Sequence, residues 1–339
     1  MTALKITSWN IEHMSRLFET DGSASAQAKR ARRRAAVADE IRALDPDVLC
    51  VLEGPAAVDS LRTFCAQDLG GGWSVVEAAD GNYGTRGSQW IWFLVKPALA
   101  GGASLLPVDT FKEFAGASWT VHYWGQFEES SHRHYRHPQT LVLEWLGERI
   151  EFIGLHLKSK FVRSGRSDWA AGGERRQGFV RDAIKARIKL TTEALNVRAY
   201  IDRKFAQRPD PCIFVMGDLN DGPGKEHFEN RYLFFDLLSN IQGDVFFARR
   251  FLNHALFDFS EDLRWTVQFD DFVDPARNPN ILLDHILFTQ PLVGAEKPFE
   301  IRAGAGLVEH EVHELVNAPL PKYAHTSDHR PVSVVLSER

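Results

Sequence analysis

Short apolar, β-branched or aromatic runs recur along the chain, each bounded by polar or turn-forming residues. They cover 4–11, 47–52, 73–77, 89–95, 139–145, 149–157, 212–216, 282–288 and 331–336. Segments this short and rich in Val, Ile, Phe and Trp read as strands. Residues 140–145 alternate partly in polarity, which suggests one outward face, whereas other runs are apolar throughout and suggest burial on both faces. A different period appears over 174–205. Val180, Ile184, Ile188, Thr191, Leu195 and Ile201 follow roughly helical spacing there. A second helix opens at the basic cluster 29–34 and turns Val37, Ile41 and Leu44 toward a core. Strands mixed with helices, with hairpin-like pairs such as 139–145 and 149–157, predict an α/β or α+β fold built on mixed sheets.

Two segments read as insertions in that pattern. Residues 97–137 are rich in Gly, Ser and aromatics, and 222–280 hold twelve Phe, Tyr or Trp, including Phe228, Tyr232, Phe246, Phe247 and Trp265. Most of these aromatics are expected in the core.

Composition narrows the class. The chain has 339 residues, 44% hydrophobic and 25% charged, which excludes a disordered or collagen-like chain. No apolar run approaches the ~18–20 residues needed to span a bilayer. The opening MTALKITSWN lacks a basic start followed by an apolar stretch, so no secretory signal is expected. Cys50, Cys65 and Cys212 sit among apolar neighbours and read as core thiols; a cytoplasmic setting is the expectation. The net charge of −5 is unevenly spread, since 158–208 holds fourteen Lys/Arg against five Asp/Glu. A solvated helix face accounts for such a stretch unless chemistry nearby calls for cations.

The chemistry lies at the ends of the apolar runs. Asn10, Glu53, His156, Asp218 with Asn220, Asp284 with His285, and Asp328 with His329 all flank strand-like segments. Ionised groups so near a core are costly unless a metal, a partner or water offsets them. One polar site where strand ends converge explains them together.

Trp9-Asn10-Ile11, Glu53, Gly154-Leu155-His156, Met216-Gly217-Asp218-Leu219-Asn220, Leu283-Asp284-His285-Ile286 and Ser327-Asp328-His329-Arg330-Pro331-Val332 appear in that order. The series resembles the successive motifs of the endonuclease/exonuclease/phosphatase superfamily, which includes pancreatic-type deoxyribonucleases, apurinic endonucleases and neutral sphingomyelinases. The resemblance implies a four-layer αββα sandwich with two packed mixed sheets and a phosphoesterase site at one rim. It also implies one domain over 1–339, because the motifs draw on both halves of the chain.

By that resemblance Glu53, Asn10 and Asp328 hold Mg²⁺ (or Mn²⁺), which favours oxygen ligands. Asp218 orients or deprotonates water, and Asn220 holds that water or a phosphate oxygen. His329, paired with Asp284, faces the phosphate, and His156 grips a non-bridging oxygen. Where deoxyribonucleases place a Glu behind the middle histidine, this chain offers Gln89, which could orient His156 without stabilising its charged form. Arg136, in Tyr135-Arg136-His137-Pro138, resembles the family's arginine–proline element and is an expected phosphate contact. Asn82, Tyr83 and Lys158 complete the expected substrate contacts.

Other motifs compete weakly. Glu309-His310-Glu311-Val312-His313 spaces its histidines three apart, not the four of a zinc-binding helix. His132, His134 and His137 could hold a transition metal, although a loop near the site is the simpler reading. The glycine clusters lack a Walker or dinucleotide signature. The expected activity is therefore a metal-dependent phosphodiesterase, first of all a nuclease. Lys158, Lys160, Arg163, Arg166, Arg175 and Arg176 would track a nucleic-acid backbone. A phospholipid, sphingolipid-like or small phosphate-ester substrate is the alternative, and a non-catalytic phosphate- or protein-binding member the third reading. Protein partners are not indicated.

Overall fold

The computed structural model describes residues 3–123, 128–233 and 236–339. The insertions predicted at 97–137 and 222–280 therefore lie partly outside the described residues. Numbered along the chain, the first five strands are β1 (Ala3–Asn10), β2 (Val48–Gly54), β3 (Ser74–Val75), β4 (Trp90–Val95) and β5 (Ala103–Leu105). There follow β6 (Trp119–Tyr123), β7 (Glu128–His132), β8 (Gln139–Trp145), β9 (Glu148–His156), β10 (Cys212–Asp218) and β11 (Asn253–His254). The last are β12 (Val267–Gln268), β13 (Asn280–Ile281), β14 (Asp284–Phe288), β15 (Phe299–Val308) and β16 (Val332–Glu338). The α-helices are α1 (Ala24–Leu44), α2 (Val58–Thr63), α3 (Pro97–Ala100), α4 (Asp109–Ala115), α5 (Gly165–Ala171), α6 (Gly173–Gln207), α7 (Leu237–Gln242) and α8 (His310–Asn317).

Two six-stranded mixed sheets result, ordered β15-β16-β1-β2-β4-β3 and β11-β14-β10-β9-β8-β5. Strand alternation explains how they stack. In β10, Cys212, Phe214 and Met216 turn to one side and Ile213 and Val215 to the other. The first set joins Ile6, Cys50, Phe93, Phe152 and Val334 in a core between the sheets. The second set meets Leu190, Val197 and Ile201 of α6 on the outside. On the opposite outer face, Trp9, Leu49, Val51 and Trp92 pack against Val37, Ile41 and Leu44 of α1. Helix, sheet, sheet and helix thus form the expected four layers.

Most predicted runs coincide with strands, with instructive exceptions. The run 73–77 shortens to Ser74–Val75 at a sheet edge. The ten-residue β15 has no counterpart among the predicted runs, because Arg302, Ala303 and Gly304 interrupt its apolar pattern where its register with β16 shifts. Helix α6 spans the predicted segment, but its buried stripe runs through Phe179, Ala183, Leu190, Ala194, Val197 and Ile201. Leu195, expected inward, is 48% exposed. The insertion 97–137 contributes β5 to the second sheet and the hairpin β6–β7, whose Val121 and Tyr123 pack on Ile188. The aromatics of 222–280 divide. Phe228 is buried, but Phe246, Phe247, Phe257 and Phe269 are exposed, contrary to expectation. Phe246 and Phe247 lie in a short 3₁₀ helix (Val245–Arg250), Phe257 in a turn and Phe269 just after β12. The three cysteines are buried free thiols, and burial pushes all of them up, Cys65 to about 12 and Cys212 to about 11. Among the described residues no helix is long and apolar enough to cross a membrane.

Candidate active site

Strand direction assembles the site. β1 runs parallel to β2 and antiparallel to β16, while β10 runs parallel to β9 and antiparallel to β14. The ends of β1, β2, β9 and β10 therefore share a rim with the starts of β14 and β16. Asp218 lies opposite both His156 and Asp284 in register. Gly217 permits this: its φ is +139°, and a Cβ there would sit 1.9 Å from the Leu155 carbonyl oxygen.

Two bonds join the sheets across the rim. Asn10 Nδ2 donates to Asp218 Oδ2 at 3.0 Å, and the Asp284–His329 pair closes at 2.6 Å between Oδ2 and Nδ1. The other Asp218 oxygen accepts from the Asn220 backbone at 2.8 Å, and Asn220 Nδ2 donates to the Leu157 carbonyl. Asn220 holds a left-handed backbone, φ 53°, to make that turn. His156 Nε2 stands 3.5 Å from Asp218 Oδ2. One ligand atom from each of Asp218, Asp284 and His329 falls within 4.8 Å of the others.

Burial and neighbouring charge set the protonation. Burial, reinforced by the Asp284 charge, pushes the Asp218 carboxyl up to about 7. Burial works against an imidazolium at His329, but the Asp284 contact outweighs it and raises the group to about 10. His156 is held well below the usual imidazole range, by burial and then by the Arg136 charge. An imidazolium and a neutral imidazole thus flank one carboxyl.

The rest of the rim is mixed, with Glu53 buried and Asp328 open. Glu53 Oε2 accepts from the His13 backbone at 2.7 Å, and both residues adopt positive φ. Asp328 is largely exposed, with Oδ1 4.0 Å from His329 Nε2. Arg33 of α1 feels the charges of Glu12, Asp328 and Glu53, and it donates to the carbonyls of His325 and Thr326. The basic start of α1 is therefore more than a solvated face.

A divalent cation fits this donor set. Asn10 Oδ1 and Asp284 Oδ1 are buried oxygens without a hydrogen-bond partner. Such orphans are costly in a finished fold and suit a hard cation or its waters. His329 Nδ1 is already engaged by Asp284, so the oxygen atoms are the better ligand candidates.

Several expected contacts fall elsewhere. Gln89 does not orient His156: its Oε1 accepts from Arg136 Nε and Nη2, at 3.0 and 2.7 Å, and His156 Nδ1 has no partner. Arg136 also donates to the Leu157 carbonyl at 3.1 Å and feels the charges of Asp218 and Glu53. Tyr83 is a core residue, packed between Trp90 and Trp92 with its hydroxyl accepting from the Ala78 backbone. Asn82 is exposed, and its side chain caps its own turn by accepting from Gly84. The Lys158 backbone donates to Glu193, and its ammonium turns to the Ser159 carbonyl.

The basic stretch is largely engaged. Lys160 pairs with Asp221 and Glu229, Arg175 pairs with Asp168, and Arg176 lies over Trp169. A polyanion track across 158–176 is thus weaker than its charge suggested. The histidine cluster is not a ready metal site either: His132 is held by Glu193 and His137 by the Val108 carbonyl. His313 bonds Glu40 and His310 the Leu263 carbonyl, in agreement with the rejected zinc helix.

Sequence reasoning missed the residues that brace the site. Ser327 Oγ donates to the Asn10 carbonyl at 2.6 Å and accepts from the Glu12 and His329 backbones. Thr266 Oγ1 accepts from the Asp284 backbone, and Trp9 Nε1 donates to the His329 carbonyl. Ser327 stood inside a recognised motif and could have been found. Thr266 carried no signal.

The sequence profile of the Endonuclease/Exonuclease/phosphatase family matches residues 7–329. The chain belongs to that family. Its motifs are the ones that converge on this rim. No curated protein matches the chain. Among solved structures, a truncated TDP2 from Caenorhabditis elegans is similar, with TM-score 0.53 and 15% identity over 99% of this chain and 98% of that one. TDP2 from D. rerio complexed with a single-strand DNA product gives 0.51 and 11%, covering 99% and 100%. A mannosyl-6-phosphatase of Bacteroides thetaiotaomicron gives 0.50 and 13%, covering 98% and 99%. At these identities the likeness is one of fold.

Proposed function

We propose that this chain is a divalent-metal-dependent phosphodiesterase that cleaves nucleic acid by in-line attack of water, working as one unit over 1–339. The observation that carries the reading is the closed set Asn10–Asp218–His156 beside Asp284–His329, with two buried carbonyl or carboxylate oxygens left free. Asn10, Glu53 and Asp328 would hold Mg²⁺ or Mn²⁺. When bound, the cation supplies positive charge to the phosphoryl oxygens and the leaving oxygen.

The remaining steps belong to side chains. Asp218, raised toward neutrality, accepts a proton from water at a pH where its carboxylate is still populated. Asn220 fixes the Asp218 carboxylate through its backbone and turns that segment toward substrate. His329 stays protonated through Asp284 and donates from Nε2 to a phosphoryl oxygen. Arg136, levelled by Gln89, offers further charge to the phosphate.

Support for nucleic acid as substrate comes from the family and from a neighbour of the same fold complexed with single-strand DNA product. A second reading, a small phosphate ester, is favoured by the internal pairing of Lys160 and Arg175. Oligonucleotide cleavage with Mg²⁺ or Mn²⁺, run against salt, tests both. A nuclease loses rate steeply as salt rises. Salt-insensitive turnover of bis-p-nitrophenyl phosphate with no oligonucleotide cleavage selects the second reading, and no turnover of either removes both.

A further inference from the structure

Beside the proposed phosphate site lies a cavity to which the motifs supply only one edge. It has a volume of about 290 Å³ and opens at Asn220, Asp328 and His329. Its walls come from the loop after β9, from α6 and from the 222–280 region, and they include Phe161, Phe179, Phe228, Phe269 and Phe272. The inner rings form a packed cluster, with Phe179 centred 5.7 Å from both Phe228 and Phe272. A Cβ at Gly165 would come within 2.6 Å of Phe179, so the start of α5 leaves that ring little room to shift. At the mouth, Phe161 is 76% and Phe269 50% exposed. Two unburied rings beside a charged site cost solvation and suit a ligand that covers them.

Charge narrows the ligand further. The ionisable side chains on the walls are mutually neutralised: Arg187 with Glu226 at 2.6 Å, Arg277 with Asp271 at 3.4 Å, and Lys160 with Asp221. Arg187 also lies over the Phe228 ring at 4.5 Å. Only Asp328 and His329, which belong to the phosphate site, lie outside these pairs. A second phosphate would meet no free cation here. The volume sits at the lower end of ligand pockets, roughly 300–1,000 Å³. That is room for one ring system, not for a pair of acyl chains.

We infer that this pocket receives an uncharged aromatic ring carried by the substrate's phosphoester, with Phe161 and Phe269 as its specificity-determining residues. The inference rests on the phosphodiesterase reading above and adds the substrate's neighbouring group. The ring has two sources, the base of a terminal nucleotide or a simple aryl ester. Base stacking on aromatic side chains tolerates any base, because every base has a π-face.

Calorimetric titration tests this without turnover, using full-length protein supplied with Mg²⁺. Benzylphosphonate is expected to bind about tenfold more tightly than methylphosphonate, about 1.4 kcal/mol. Cyclohexylmethylphosphonate should fall near methylphosphonate, because shape and ring contact both count. In Phe161→Ala and in Phe269→Ala the benzyl-to-methyl ratio should fall toward one; both positions are exposed, so folding is not at stake. Thymidine 5′-monophosphate binding more tightly than ribose 5-phosphate assigns the ring to a nucleobase, and equal binding assigns it to an aryl ester. Equal affinity for benzyl- and methylphosphonate, a cyclohexyl ligand matching the benzyl one, or an unchanged ratio in both variants overturns the pocket. If bis-p-nitrophenyl phosphate is still hydrolysed in that case, only the pocket is lost; if no ester turns over with Mg²⁺ or Mn²⁺, the phosphodiesterase reading fails instead.

Discussion

The two sheets deliver their polar residues to the rim at unequal depths, and the difference lies chiefly in Asp328. The β9–β10–β14 side contributes His156, Asp218 and Asp284, all nearly solvent-free, with Asp218 held by Asn10 beside His156 and Asp284 held by His329. The β1–β2–β16 side contributes Glu53, which is buried and has positive φ, and Asp328, whose side chain is 64% exposed. The sealed side has its protonation fixed by burial and close charge, which suits proton transfer. Asp328 keeps a carboxylate accessible, which suits a cation that must arrive with its waters. Division of labour follows from depth below the rim.

The sharpest way to break this comparison is to neutralise one acid on each side. Asp218→Asn should lower kcat/KM on an oligonucleotide by roughly 10²–10⁴, the range of a lost general base, and no excess of cation should restore it. Full activity in that variant would remove the sealed side from the chemistry. Glu53→Gln should instead shift the Mg²⁺ titration of activity by about a hundredfold, with Mn²⁺ in excess recovering part of the rate. Equal insensitivity of both variants to cation would erase the distinction.

Smaller changes sharpen it. Gln89→Ala removes the acceptor that levels Arg136, and KM should rise about tenfold with kcat much less affected. A fall in kcat alone would mean that Gln89 serves His156 after all. Acidification probes the layer outside the site. Burial holds His134 down at about 3 and His137 at about 4. Both bind protons more weakly folded than unfolded, so stability is intact above the ordinary value of 6.5 and falls as pH drops from there toward 4. The slope is up to about 1.4 kcal/mol per pH unit for each histidine, and His134→Phe should reduce it in denaturant titrations. Leu195→Ser marks the lower limit: on the solvent side of α6 it should change stability by no more than about 0.5 kcal/mol.

What could be read from the chain reflects which interactions are local. Strands such as 139–145 are legible because their apolar content is continuous, and the site residues because carboxylates at strand ends are costly without a purpose. Partners set by tertiary packing were not legible. Gln89 is adjacent in sequence to β4, yet only the fold puts Arg136, rather than His156, against it. Tyr83 sits in a polar loop, and its burial depends on Trp90 and Trp92 closing over it. Lys160 looked free because its acids, Asp221 and Glu229, lie 61 and 69 residues further along. Aromatic content in 222–280 predicted burial by composition, but Phe269 stands exposed beside a cavity instead.

Ser327 fastens the end of the first strand to the approach of the last, and β1 pairs directly with β16. The centre is therefore closed by residues at opposite extremes of the chain. During synthesis, Asn10 is made long before the clasp at Ser327, 317 residues further along. A product cut short before residue 327 lacks the Ser327 clasp, His329 and the Asp328 carboxylate together, so such a fragment holds only part of this rim.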